Sequence, residues 1–341
     1  MNAAASERPV VSTEADLLRF TTEALTAVGL RDPDASDMAR QIVGSEMSGH
    51  ESHGMRRLPH YVDRARAGFA KPGATCVIEV DAGSLVRVNG NEAYGHLVLR
   101  DATRLAIERA RLGGIAAVAV HNAEYAGRLA DFCEQAASQG VALLIFVNDS
   151  GAGQIVAPPG AVEARLSTNP IAAGIPRSHP PHLILDMATS VVAGGRVSEW
   201  EDRGEPLDPA WVGPSGLLQF VGGTKGFGLA LIAEALGGAL TGAGTVSAQP
   251  APDHQGALLI ALDVAAFRPL DEFAAEVDAF LGYVKSTPLV ADAPAIRAPG
   301  ESSAANVVRR RREGVPIQAF TWARLLEVAE TVGIAPPRAR T

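Results

Sequence analysis

The chain has 341 residues, 47% of them hydrophobic, which is enough for one elaborated domain or two to three smaller ones. A net charge of -8 and a pI near 5.5 argue against nucleic acid or an anionic membrane as partner, since both call for a concentrated basic surface. The two cysteines, Cys76 and Cys133, have no CxxC or Cys/His ligand spacing, which points to a reducing compartment and away from structural zinc.

The N-terminal stretch "MNAAASERPVVSTEADLLRF" lacks a basic region followed by an apolar run, and no window offers 18 uninterrupted apolar residues. The expectation is a soluble, cytoplasmic protein. Thr13 ahead of Asp16 forms a capping arrangement for a first helix ending around Gly29. Asp32-Pro33 opens a second helix, with Met38, Ile42, Val43 and Met47 at helical spacing. Leu58, Tyr61, Val62 and Ala65 then predict a third, beginning near Gly54 with Ser52 or His53 at its mouth. The corner between them, "EMSGHESHGMRRLPHYVDRARAG" at 46–68, gathers histidines, a Ser-His-Gly step and four arginines. A histidine at a helix N-terminus feels the positive end of the dipole, which favours the neutral form and suits it to proton exchange near pH 7.

After "FAKPGAT" the period becomes strand-like in "CVIEV" and "LVRVNG", and Gly95 opens the long helix "HLVLRDATRLAIERARLGG". A strand "IAAVAVHN", a helix over roughly 127–139 and a strand "VALLIFVND" follow. The Gly/Pro/Ala-rich stretch 151–181 suits loops and strand ends that carry a site. "HLILDMATS" is a strand with a polar end, "VSEWEDRGEPLDPAWVGPSG" a surface excursion and "KGFGLALIAEALGGAL" an apolar helix. The chain closes with the strand "GALLIALDV", the helix "DEFAAEVDAFLGYV", a mixed segment whose basic run "RRRREGV" reads as a solvated helix face, and the helix "FTWARLLEVAETVG". The organisation expected is an N-terminal helical part (1–70) packed with a C-terminal helical part (296–341), beside an α/β region (71–295).

No G-x-G-x-x-G follows a strand and opens a helix, so a standard Rossmann domain is not expected. "GGTKGFG" at 222–228 precedes an apolar helix, where backbone NH groups and Lys225 suit a phosphate, although a close-packed helix start explains the glycines equally. Asp186 ends an apolar strand, where a buried carboxylate needs a partner and a histidine is a natural one, or where it caps the next turn. His60, His96, His121, His179, His182 and His254 lack metal-ligand spacing, so no metal is expected.

Five motifs in order, "ESHGMRRLPHYVDRARAG", "STNPIAAGIPR", "LILDMATS", "GGTKGFGLALIAEALGGALTGAG" and "PGE...RRRREGVPI", resemble the malate/L-lactate/ureidoglycolate dehydrogenase family, which includes sulfolactate dehydrogenases and piperideine-2-carboxylate reductases. The resemblance spans about residues 15 to 335. It implies a non-Rossmann, sulfolactate-dehydrogenase-like α/β fold with a mixed sheet and an N-terminal helical part, a homodimer, and NAD or NADP near the subunit interface. It makes His53 the group that exchanges the substrate proton, linked by hydrogen bonds to Asp186, with Ser52, Arg57 and Tyr61 toward a small carboxylate substrate. Thr168 and Asn169, the run Met187, Ala188, Thr189 and Ser190, then Thr224, Lys225 and Gly226, and Gly300 with Glu301 match cofactor-lining segments. The chain departs from the family at Tyr125, which stands where a second active-site histidine is usual, and in a short 197–222 segment. A phenol near pKa 10 is a poor base at neutral pH. The activity implied is hydride transfer to or from a 2-oxo/2-hydroxy acid or a cyclic 2-imino acid, the alternative being a relative that binds a nucleotide or carboxylate without turnover.

Overall fold

The structure is a computed structural model, and it describes residues 8–151, 153–203, 206–249 and 254–340. The first seven residues of the N-terminal stretch, and part of the expected surface excursion, lie outside the described residues.

Helices α1 (Glu14–Ala27) and α2 (Asp32–Met47) form where the apolar spacing predicts them. Thr13 caps α1, its hydroxyl accepting from the Asp16 amide at 3.1 Å. Leu17, Phe20, Met38 and Ile42 are fully buried, and they share one core with Val315, Ile317 and Leu325 from the far end of the chain. Two elements unforeseen in the sequence tie those ends together: strands β1 (Val10–Ser12) and β9 (Val315–Ile317) pair antiparallel. Between them in sequence, α9 (Glu301–Glu313) emerges from the mixed segment, and α10 (Ala319–Val332) closes the chain.

The central sheet is mixed, as expected. It contains β2 (Val77–Asp81), β3 (Leu85–Asn89), β4 (Ile115–Ala123), β5 (Val141–Asp149), β6 (Ile171–Ile175), β7 (Leu183–Met187) and β8 (Gln255–Asp263), in the order β2-β3-β4-β8-β5-β6-β7. Among the described residues, β3 and β4 are the one strand pair of this sheet that runs parallel. The other pairs are antiparallel. Helices α4 (Gly95–Gly113) and α5 (Ala130–Ala137) bury their apolar stripes against one face, together with Leu143, Ile145 and Val147 of β5. The alternate residues of β5 face a six-residue π turn, Glu234–Ala239, that continues α7 (Thr224–Ala233). Cover on both faces explains why "VALLIFVND" reads as an apolar run rather than an alternation. The expected helix over 127–139 is shorter because residues 124–128 form no regular element and Leu129 is a turn residue ahead of α5. The surface excursion contains a helix, α6 (Gly194–Arg203), and α8 (Leu270–Lys285) follows β8. Among the described residues, no helix is long and apolar enough to cross a membrane.

This topology sets the site. Because β4 and β5 both run antiparallel to β8, their C-terminal ends lie at the same edge, where Ala123 and Asp149 each face Gln255. The β5–β6–β7 meander brings the end of β7 to that edge too, with Met187 opposite Ile171.

Candidate active site

The Ser-His-Gly corner differs from the expected helix start. Two short 3-10 turns, Glu51–His53 and Met55–Arg57, intervene before α3 (Leu58–Arg66). His53 therefore ends a turn rather than opening an α-helix, and Pro59 at the start of α3 fixes where that helix begins. The buried Glu46 carboxylate accepts from the Met55 amide at 2.9 Å. A Cβ at Gly54 would come within 2.2 Å of that carboxylate, which is why the corner needs glycine. Arg310, buried, donates to the Glu46 carbonyl and the Glu51 carboxylate. One member of the basic run thus locks the corner, contrary to the reading of the whole run as a solvated face, while Arg311 and Arg312 stay exposed.

Above this corner lies a cavity of about 310 Å³. Its walls bring together Ser52, His53, Arg57, Tyr125 and Asp186, residues from three distant stretches of chain. The Ser52 hydroxyl and His53 Nδ1 are hydrogen-bonded at 2.9 Å, and Nε2 has no hydrogen-bond partner among the described residues. The His53 and Tyr125 rings stack at 6.0 Å and 27°. The Arg57 guanidinium lies 4.8 Å from the Tyr125 ring centre, and its Nε donates to the Ser52 carbonyl at 3.3 Å. No carboxylate pairs with Arg57 among the described residues, so its cationic fork is available to an anion in the cavity. Tyr61 sits behind, fully buried, its ring 6.4 Å from Tyr125 and 5.1 Å from buried His96.

Electrostatics agree with the expected neutral form of His53, although burial rather than a helix N-terminus supplies it. Burial, and then the positive charge of Arg57, depress His53 to about 3, so the imidazole is neutral throughout the neutral range. Burial also raises the Tyr125 hydroxyl, against the lowering effect of Arg57, and the phenol keeps its proton. Asp186 is raised by burial although it accepts from the Ala130 amide at 2.9 Å. The structure shows no hydrogen bond between Asp186 and His53 among the described residues; the two share a cavity wall.

Of the segments matched to a cofactor, Thr168 and Ala188 reach the cavity. Their neighbours build a seam leading away from it. The Thr189 amide and hydroxyl both donate to the Thr168 carbonyl, at 2.9 and 2.8 Å. The Val221 amide donates to the Thr189 carbonyl at 2.9 Å. Gly226 packs so closely that a Cβ there would meet the Val221 and Thr189 carbonyls at 2.3 and 2.7 Å. Asn169 donates to buried Glu234 at 2.8 Å, and Ser190 to the Val192 carbonyl at 2.6 Å. These side chains hold loops in place, and Met187 among them is partly buried. The "GGTKGFG" amides mostly bond within their own turn, Gly226 to Val221 and Phe227 to Gly223, which leaves the Thr224 amide and the exposed Lys225 ammonium to meet an anion. Gly300 and Glu301 lie elsewhere: Gly300 packs against β7 near Ile184, and Glu301 pairs with Lys285 at 2.7 Å.

The cavity also uses groups that sequence reasoning did not select. Asn148 and Asp149 end the apolar strand β5 as Asp186 ends β7, the same polar-tip signal. Arg128, buried, pairs with Asp131 at 2.6 Å and Glu134 at 3.1 Å, and burial pushes Asp131 up to about 7. Glu124 pairs with Arg64.

The chain aligns over 337 residues at 32% identity with the L-sulfolactate dehydrogenase of Methanothermobacter thermautotrophicus, covering 93% of this chain and 96% of that one. The solved malate dehydrogenase of Pyrococcus horikoshii OT3 superposes with a TM-score of 0.86 at 28% identity, covering 98% and 99% of the two chains. The delta1-piperideine-2-carboxylate reductase of Pseudomonas syringae superposes at 0.77 and 25% identity, covering 94% and 99%. The chain thus shares its overall architecture with these solved structures. With a family model matched from residue 12 to residue 326, the chain is a member of the malate/L-lactate dehydrogenase family.

Proposed function

We propose that the protein is a nicotinamide-dependent oxidoreductase that moves a hydride to or from a small carboxylate, a 2-oxo/2-hydroxy acid or a cyclic 2-imino acid. The observation that carries this reading is the convergence on one cavity of an arginine with no carboxylate partner among the described residues, a neutral histidine and a protonated phenol. Arg57 binds the carboxylate, which places the adjoining carbon beside His53 and Tyr125. In the oxidative direction, neutral His53 accepts the proton of the substrate hydroxyl at Nε2, while its Nδ1 stays oriented by Ser52. The Tyr125 hydroxyl donates a hydrogen bond to the same oxygen. In the reductive direction the proton returns by the same path, and an iminium brings its own activating charge.

The residues fit a dinucleotide in part inside the cavity and in part beyond it. At about 310 Å³ the cavity is at the small end of ligand sites, enough for a ring and a small acid. Thr168 and Ala188 would hold the ring end, and the Thr224 amide with Lys225 an anionic part beyond the seam. The nicotinamide supplies the hydride donor or acceptor when bound. NAD and NADP both remain consistent with these donors. We also propose a homodimer, supported by the exposed apolar side chains Leu229, Leu231, Ile232 and Leu240 on α7 and the turn after it.

Mixing the protein with NADH or NADPH and a panel of 2-oxo acids and cyclic 2-imino acids tests this, with cofactor absorbance as the readout. Substrate-dependent oxidation, lost on Arg57→Ala through a raised KM, is expected. Cofactor binding without turnover of any panel member would favour a binding protein.

A further inference from the structure

A second cavity, of about 270 Å³, lies between α3 and α10, against the turn Met55–Arg57. It shares Arg57 and His60 with the catalytic cavity, so the two meet at a common wall. Among the described residues, Arg56, Arg57 and Arg324 border it together with one carboxylate, Asp63, and Arg56 has a further partner of its own. On a chain of net charge -8 this is, among the described residues, a local reversal of sign. Among the described residues, Arg324 pairs with Glu327 alone, at 3.4 Å and with both side chains about half exposed, a pair that competes weakly with an incoming anion. The Phe320 ring, with Arg56 at 5.8 Å from its centre, adds an apolar face for the body of an organic acid.

We propose that this groove is a second binding site for a small carboxylate, joined to the catalytic cavity through Arg57. The proposal rests on the reading of Arg57 as a carboxylate-binding group. Guanidinium forks on the two sides of the groove suit a carboxylate, and its volume is close to that of the catalytic cavity. Sharing Arg57 sets the sign of the coupling. Each carboxylate partly neutralises the cation that attracts the other, so the two sites fill with negative cooperativity. At high substrate concentration the second carboxylate draws on Arg57 and slows turnover.

Succinate, which has carboxylates but no 2-hydroxy or 2-oxo group to react, is the probe. Equilibrium dialysis of the full chain with labelled succinate should count two molecules per chain, the second weaker, and one in Arg324→Glu of native circular dichroism. Arg324→Gln, which removes only the charge, gives the same reading should glutamate disturb α10. If the catalytic cavity takes no carboxylate, wild type binds one succinate and Arg324→Glu none, which still supports the second site. An unchanged count in both variants, whether one or two, or no binding to wild type, overturns it.

Discussion

In the proposed mechanism the imidazole of His53 is a base that stays unprotonated. With its titration moved down to about 3 by burial and by Arg57, the acid limb of kcat/KM for the free enzyme should show no inflection near the ordinary histidine value of 6.5. An inflection there that disappears in His53→Ala would contradict the burial argument. His53→Ala itself should lower kcat about 10²- to 10⁴-fold with cofactor binding retained. Tyr125 is separable from it. If its hydroxyl only orients the substrate, Tyr125→Phe should cost about 0.5 to 1.5 kcal/mol in kcat/KM, whereas an obligatory proton donor should cost several times more. Parallel rates for wild type and variant on an imino acid and a hydroxy acid distinguish the two. At this scale the sequence was readable where polarity broke an apolar run, as at Asp186. It was unreadable for Arg310, whose role comes from a partner 259 positions away that spacing cannot reveal.

At the scale of elements, the first turn of α6 is pressed against the corner. A Cβ on Gly195 would lie 2.7 Å from the Ser52 carbonyl, a backbone atom that cannot swing aside. Gly195→Ala should therefore push α6 off the turn Glu51–His53, with a stability cost of about 1–3 kcal/mol and a larger loss of kcat/KM than surface alanines on α6 cause. Denaturant unfolding alongside steady-state kinetics checks both, and a fully active, equally stable variant would show that α6 does not bear on His53. Most long elements were legible because their apolar periods run uninterrupted, α1, α2, α4 and β5 among them. The short ones were not. Strands β1 and β9 are three residues each and exist because they pair with one another, and the 3-10 turns around His53 exist because Glu46 and Arg310 hold them.

For the molecule as a whole, buried neutral histidines set the acid stability. His50, His53 and His96 are depressed to about 4, 3 and 3, burial being the leading cause in each. Below the ordinary value of 6.5 the unfolded chain takes up protons that these folded imidazoles refuse, so stability falls as pH drops, by up to about 1.4 kcal/mol per pH unit for each. Asp131 works the other way. Raised to about 7, it holds a proton in the fold that the unfolded chain releases above its ordinary 3.8, so its contribution grows on acidification through that window. His96→Asn should flatten the slope of unfolding free energy between about pH 6 and 4.5 by one histidine's share, and an unchanged slope would show that His96 is protonated in the fold. Arg310 has a consequence of another kind. During synthesis His53, Arg57, Tyr125, Asp186 and Lys225 all leave the ribosome well before the arginine that fastens the Glu46–Glu51 corner. A nascent chain that has not yet reached Arg310 can own all five of these groups and still lack the fastened corner that sets His53 in place.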